Sequence, residues 1–185
     1  MEALEAIMTR VSPLKLKEPA PTPQEFDRIV EAATTAPDHG RLKPWRFIMI
    51  AGAARNRFGE LMAASLLARE PAAGEPRLQA EREKALRAPA IVVVVATPRV
   101  APAIPYIEQI VAVGAATQNL LLAAHALGYG TFWRTGALAY DRAVMEAMRL
   151  APSESIIGFI YVGSVAVAGK PRSPQATLPI GTWLE

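Results

Sequence analysis

Residues Ala88–Thr97 read APAIVVVVAT, and this stretch decides the fold. Ile91–Val95 is an unbroken β-branched run, and branching at Cβ stiffens χ1 and favours the extended backbone. Side chains of a strand alternate between its two faces, so a run with no polar residue is apolar on both. Such a strand needs a layer packed against each side. A three-layer architecture with this strand inside it is therefore expected.

Outward from this strand the chain interleaves helix and strand patterns. "RFIMIAG", from Arg46, reads as a strand, Ala53–Leu67 as a helix, "AREPAAGEP" as a surface loop and Arg77–Arg87 as another helix. Thr22-Pro23-Gln24-Glu25 is a capping box with proline at the first helical position. It opens a helix to Thr35 with Phe26, Ile29, Val30 and Ala33 inward. "SPLKLKEPAPTP" reads as an extended connector, because each proline biases its predecessor away from helix. Residues 2–9 form a short helix with Leu4, Ile7 and Met8 on one face. Downstream come the proline-rich loop "TPRVAPAIPY", an apolar helix Ile107–Leu127 ended by Gly128, and the extended segment "GTFWRTG". Asp141 caps a helix to Met148, "ESIIGFIYVGSV" is the last strand, and a Pro- and Gly-rich tail follows. Hairpin signals are few, so the class is α/β or α+β. Helix Ile107–Leu127 is apolar nearly all round. One helix in a small domain rarely buries every face, so a homodimer is expected, with the tail wrapping the partner.

Composition narrows the function classes. At 185 residues, one domain spanning 1–185 is the natural expectation. The absence of cysteine rules out a disulfide framework, a thiolate nucleophile and a Cys-held metal or cluster. Two histidines without carboxylates at ligand spacing make a catalytic metal unexpected. A net charge of +3, spread along the chain, argues against nucleic-acid binding but suits a phosphate-bearing small molecule. The acidic, amphipathic N-terminus lacks the pattern of a signal peptide, and the apolar run 107–128 carries Glu108, Gln109, Gln118, Asn119 and His125. Neither export nor a membrane span is expected, which points to the cytoplasm.

Four segments carry possible chemistry. Arg10-Val11-Ser12 places a guanidinium and a hydroxyl two residues apart, a pattern that can bind phosphate and a polyol; the alternative is a solvated Arg at a helix end. His39 lies between Pro37 and Pro44 and offers a donor and an acceptor to a ring edge, or to its own backbone. In "GYGTFWRTGAL", Gly130 permits a close backbone approach, and Trp133 could lie against a flat ring with amides near Arg134 and Thr135 facing it; the alternative is a core Trp. Lys170-Pro171-Arg172 is the fourth, with a solvated basic tail as the alternative. "GYGT" lacks the third glycine of a dinucleotide fingerprint and precedes no helix.

Taken together, "TRVS", "APDHGRLKPWRF", "GYGTFWRTGAL" and "SIIGFIYVGSV" resemble, in that order, the nitroreductase family of FMN-dependent NAD(P)H oxidoreductases. The resemblance covers nearly the whole chain. It implies an α+β, three-layer α/β/α fold with a mostly antiparallel central sheet flanked by helices, and a homodimer with FMN at the subunit interface. It implies that NAD(P)H is the electron donor and that a small molecule such as a nitro compound or quinone is the acceptor. By position, Arg10 and Ser12 match residues that bind FMN phosphate and ribityl, with Val11 serving through its backbone. Thr35 and His39 fall at flavin-contacting positions. Trp133, Arg134 and Thr135 match a segment bordering the flavin, usually from the other subunit, and Lys170 and Arg172 match a late phosphate-binding pair. Val11 and Thr35 stand where an Arg is common, so Arg172 or Lys15 is expected to compensate. Arg41 and Lys43 replace the usual Asn and Gln before Pro-Trp. No catalytic side chain is expected, because the cofactor carries the chemistry. A flavin protein with another reaction (dehalogenation or flavin fragmentation) and a flavin-free dimeric module are the alternatives.

Overall fold

A computed structural model describes residues 1–171. In chain order the elements are α1 (Ala3–Thr9), β1 (Lys15–Lys17), α2 (Pro23–Thr34), β2 (Trp45–Ala51), α3 (Ala54–Arg69), α4 (Glu75–Lys84), β3 (Ala90–Ala96), α5 (Tyr106–Ala126), β4 (Gly130–Arg134), α6 (Arg142–Ala147) and β5 (Ser155–Val167). Single 3-10 turns occupy His39–Arg41 and Ala137–Tyr140.

The sheet runs β2–β3–β5–β4, and β1 pairs with the last part of β5. Every pairing is antiparallel. The β-branched run is buried throughout, as expected, but it does not signal a parallel sheet. It reflects two helical layers. Ile91, Val93 and Val95 face Phe58 and Met62 of α3 and Val144 of α6. Val92, Val94 and Ala96 face Ile29 and Ala33 of α2 and Val113, Leu120 and Ala124 of α5. Helix α4 packs on α3 through Leu78, Ala63 and Leu66. Successive antiparallel partners are joined through helices, which explains the missing hairpin signals.

Several local readings hold in atomic detail. Thr22 Oγ1 accepts from Glu25 N–H at 3.3 Å and Glu25 Oε2 accepts from Thr22 N–H at 2.8 Å. The same carboxylate oxygen accepts from the Tyr129 hydroxyl at 2.8 Å, tying the start of α2 to the turn after α5. Asp141 caps α6 by accepting from Ala143 N–H at 2.9 Å. Two boundaries move: α4 starts earlier and ends at Lys84, and part of the expected connector forms β1. Helix α5 is long and apolar enough to span a membrane, yet one of its faces is built into the core while Ile107 and Val111 stay exposed.

Arg46 of β2 pins the loop before β5. Its Nε and Nη2 each donate to Glu154 at 2.8 Å, and Ala151 N–H donates to the same carboxylate at 2.8 Å. The Arg46 bond, opposed by burial, holds the Glu154 carboxyl below its usual range. A carboxyl lowered in the folded state binds its proton more weakly there than in the unfolded chain. Its stabilisation is therefore full above about pH 4.3 and is lost as pH falls through the lowered folded value. Glu154→Gln should flatten that acid limb, read as urea midpoints followed from neutral to acid pH.

Candidate functional site

The end of α1 is tied to the end of α5. Thr9 Oγ1 donates to Glu5 O at 2.6 Å, so its hydroxyl proton is committed. The 2.9 Å bond from Thr9 Oγ1 to His125 Nε2 is then donated by the imidazole. In its neutral form His125 therefore carries its proton on Nε2, and burial, followed by the neighbouring Arg10 charge, pushes its pKa down. Arg10 caps α1 and is half-buried.

Ser12 meets the far end of β5. Leu14 N–H donates to Val167 O at 3.0 Å. Gly169 passes so close that a Cβ on it would lie 2.1 Å from Ser12 O. The glycine thereby sets Lys170 beside the Arg10–Ser12 segment. Arg172 lies outside the described residues.

Next to this end, on the α3 face of the sheet, is a cavity of about 380 Å³. Phe132, Phe159 and Tyr161 line it, with Arg69, Lys84, Arg87 and Arg134 around them. A recess of about 300 Å³ shares Arg87, Phe132 and Arg134 and reaches Pro13 and Lys15. The two acids of the larger cavity are engaged, Glu70 by Arg77 at 3.2 Å and Glu81 by Lys84. The Phe132 and Tyr161 rings stack at 4.7 Å, and the Arg134 guanidinium lies 5.3 Å from the Phe132 centroid. The Tyr161 hydroxyl has no hydrogen bond among the described residues. Burial pushes its pKa to about 12, against the pull of Arg87 and Arg134.

Thr135 and Gly136 rim the larger cavity. Gly136 has φ +84 with open space where a Cβ would stand, so the chain turns there with its backbone bare. Trp133 is neither a core residue nor a free platform. It is 38% exposed, and its indole N–H donates to Ile157 O at 3.1 Å. Gly158 makes room for it, since a Cβ there would sit 2.0 Å from Nε1. Gly130 permits a close approach as expected, but of Leu16, Val165 and Pro13.

Thr35 and His39 lie elsewhere, along α5. The Thr35 hydroxyl donates to Ala32 O at 2.8 Å, and Asn119 Nδ2 reaches Thr35 Oγ1 at 3.5 Å. His39 does not bond its own loop; its Nδ1 lies 2.7 Å from Glu108 Oε2. Glu108 and His125 stand at opposite ends of α5, roughly 25 Å apart at about 1.5 Å per residue. Of the residues expected from the sequence, Arg134 and Thr135 line the cationic groove, whose recess reaches Lys15. Arg10, Ser12 and Lys170 belong to the α1–β5 crossing and do not line it, and His39 lies at the other end of α5.

A family model described as "Nitroreductase family" matches residues 7–164. The chain belongs to the nitroreductase family. An Escherichia coli K12 protein named "Putative NAD(P)H nitroreductase YdjA" is 35% identical over 164 residues, covering 89% of this chain and 88% of that one. A Haemophilus influenzae relative named "Putative NAD(P)H nitroreductase" is 36% identical over 166 residues, covering 89% of each. A nitroreductase-like family protein from Bacillus cereus superposes with a TM-score of 0.81 at 26% identity, covering 94% and 92% of the two chains. A Desulfovibrio desulfuricans protein described as "a putative nitroreductase in complex with fmn" shares the fold with a TM-score of 0.73 at 24% identity, covering 98% and 97%.

Lys84, Arg87 and Tyr161 escaped the sequence reading. The two bases stand in a charge-rich helical stretch that singles out neither, and the tyrosine sits in a strand with no polar neighbour. The Tyr161 phenol should be the last to ionise, near 12. Ultraviolet titration of Tyr161→Phe should lack that final component.

Proposed function

We propose that the protein is a homodimeric, cytoplasmic, FMN-dependent NAD(P)H oxidoreductase that reduces a nitro compound, a quinone or a similar small acceptor. The observation that carries this reading is a cationic groove with an aromatic floor whose recess reaches Pro13 and Lys15, directly after Ser12 in the chain. The α1–β5 crossing offers a guanidinium, a hydroxyl and an ammonium, which suit a phosphate and a polyol. The groove offers stacked aromatic rings beside Lys84, Arg87 and Arg134, which suit a flat heterocycle that gains negative charge. The donor set fits FMN, and Lys15, Arg87 and Arg134 supply the positive charge missing at Val11 and Thr35, Lys84 being paired with Glu81. We take Trp133 as a wall beside the ring, and Arg172 as a further phosphate ligand.

When bound, FMN supplies two-electron transfer from the nicotinamide to the acceptor. The protein's part is binding, orientation and field. Arg10 and Lys170 hold the phosphate, Ser12 holds the chain, and the groove cations favour the reduced, anionic ring. No side chain is assigned as a proton donor, since the groove is open to solvent.

Two features support the dimer. Leu4, Met8, Ile107 and Val111 expose apolar side chains on α1 and α5. Monomers rarely leave such surface uncovered. The 25 Å separation along α5 is the second, at about 1.5 Å per residue. We take the flavin that His39 meets to be one shared with the partner subunit, since the groove of its own protomer is out of reach.

Protein purified yellow, and consuming NAD(P)H when a nitroarene or quinone is added, is the expected outcome; colourless protein that takes up no FMN would overturn the reading. Arg10→Ala should weaken FMN binding roughly tenfold to a hundredfold, for a lost charge-assisted bond of about 1.5–3 kcal/mol. An unchanged flavin dissociation constant would place the phosphate elsewhere. Val111→Asp should convert dimer to monomer in sedimentation and lower flavin content with it.

A further inference from the structure

The loop that carries His39 is held at each backbone turn. Asp38 Oδ2 accepts from Lys43 N–H at 2.6 Å, and Asp38 O accepts from Arg41 N–H at 3.1 Å. Gly40, at φ +74, lies under Ile104, where a Cβ would be 2.2 Å from Cδ1. Thr97 N–H donates to Pro44 O at 2.8 Å and fastens the far end to the strand layer. What remains free is the rotation of the imidazole and the choice of its protonated nitrogen.

Glu108 settles both. It stands in the first turn of α5, where the helix dipole favours a carboxylate. Its Oε2 is 2.7 Å from His39 Nδ1. A carboxylate only accepts, so the proton of a neutral His39 is on Nδ1 and its lone pair is on Nε2. The two side chains are 64% and 44% exposed, and an ion pair this open adds little to stability. The contact therefore matters for the direction and chemistry of the ring more than for the fold.

We propose that Glu108 is a positioning residue that fixes His39 as the Nδ1–H tautomer and presents Nε2 as a hydrogen-bond acceptor to an N–H on the edge of the bound flavin. The inference rests on the FMN reading above. The oxidised ring system has one such group, the N–H between its two pyrimidine carbonyls. In the opposite tautomer Nε2 would be a donor and would meet that N–H donor to donor.

The chain has two histidines, so the test is direct. The full chain labelled with 15N-histidine, in alkaline buffer, should give one ring of each tautomer. His125 is the Nε2–H form, bonded to Thr9, and His39 is the Nδ1–H form. His39→Ala assigns the pair. Glu108→Ala should return His39 to the Nε2–H form that unrestrained imidazoles favour, and Glu108→Gln, whose amide oxygen still accepts, should restore Nδ1–H. FMN affinity measured by titration should fall about two- to tenfold in Glu108→Ala and in His39→Ala, with no further loss in the double variant. A wild-type His39 in the Nε2–H form would overturn the positioning role. So would unchanged FMN affinity in Glu108→Ala when His39→Ala binds weakly. Normal affinity in His39→Ala, with the tautomer as expected, would instead overturn the flavin contact of His39. FMN that fails to bind even wild-type protein would overturn the FMN reading itself while the tautomer assay still reports on Glu108.

Discussion

The structure depends on removing both faces of β3 from water. Each residue from Ala90 to Ala96 is buried, four of them valines. Burying one such side chain contributes about 1.5–3 kcal/mol. Neither face can be left to solvent, so the chain must build helices on both sides of one sheet. Helices α2 and α5 answer the even-numbered residues of the run, and α3 and α6 the odd-numbered ones. The same requirement fixes where a site can form. Helices cover most of both faces, and the cationic groove forms at a rim where β4, the middle of β5 and the end of α4 leave a gap.

Charge completes that rim. Basic residues that looked scattered in sequence converge because β1, β4 and the last turn of α4 end near one another. The acids among them are engaged by Arg77 and Lys84, which leaves Arg87 and Arg134 beside an aromatic floor. The phenol of Tyr161 belongs to this setting. Burial keeps it protonated, and so able to donate, well above neutral pH.

What could be read from the sequence was whatever is encoded locally. The Thr22–Glu25 box, the Asp141 cap and the β3 run each place cause and effect within a few residues. Strand β1 could not be read, because three residues amid prolines become a strand only through partners on β5. The start of α4 was missed although Gly74-Glu75-Pro76 carries a helix-opening proline. The partner of His39 was hidden for a different reason. Glu108 is 69 positions away and looked like a stray charge in an apolar helix. The groove behaved likewise: Arg134 was named from its segment, but Lys84 and Arg87 reach it from the end of α4 and the turn after it, and Tyr161 from β5.

Strand β5 has a consequence for how the chain emerges during synthesis. It borders β3, β4 and β1, yet it is the last strand among the described residues. A polypeptide made from its N-terminus can pair β2 with β3 early, but the valine strand keeps one bare edge until Ser155–Val167 has left the ribosome. Folding is then gated by translation, and the interval in which that edge is uncovered is the one in which the nascent protein is open to strand-to-strand aggregation. A slow stretch of translation upstream of residue 155 would lengthen that exposure, and a chaperone that covers an apolar edge would shorten its effect.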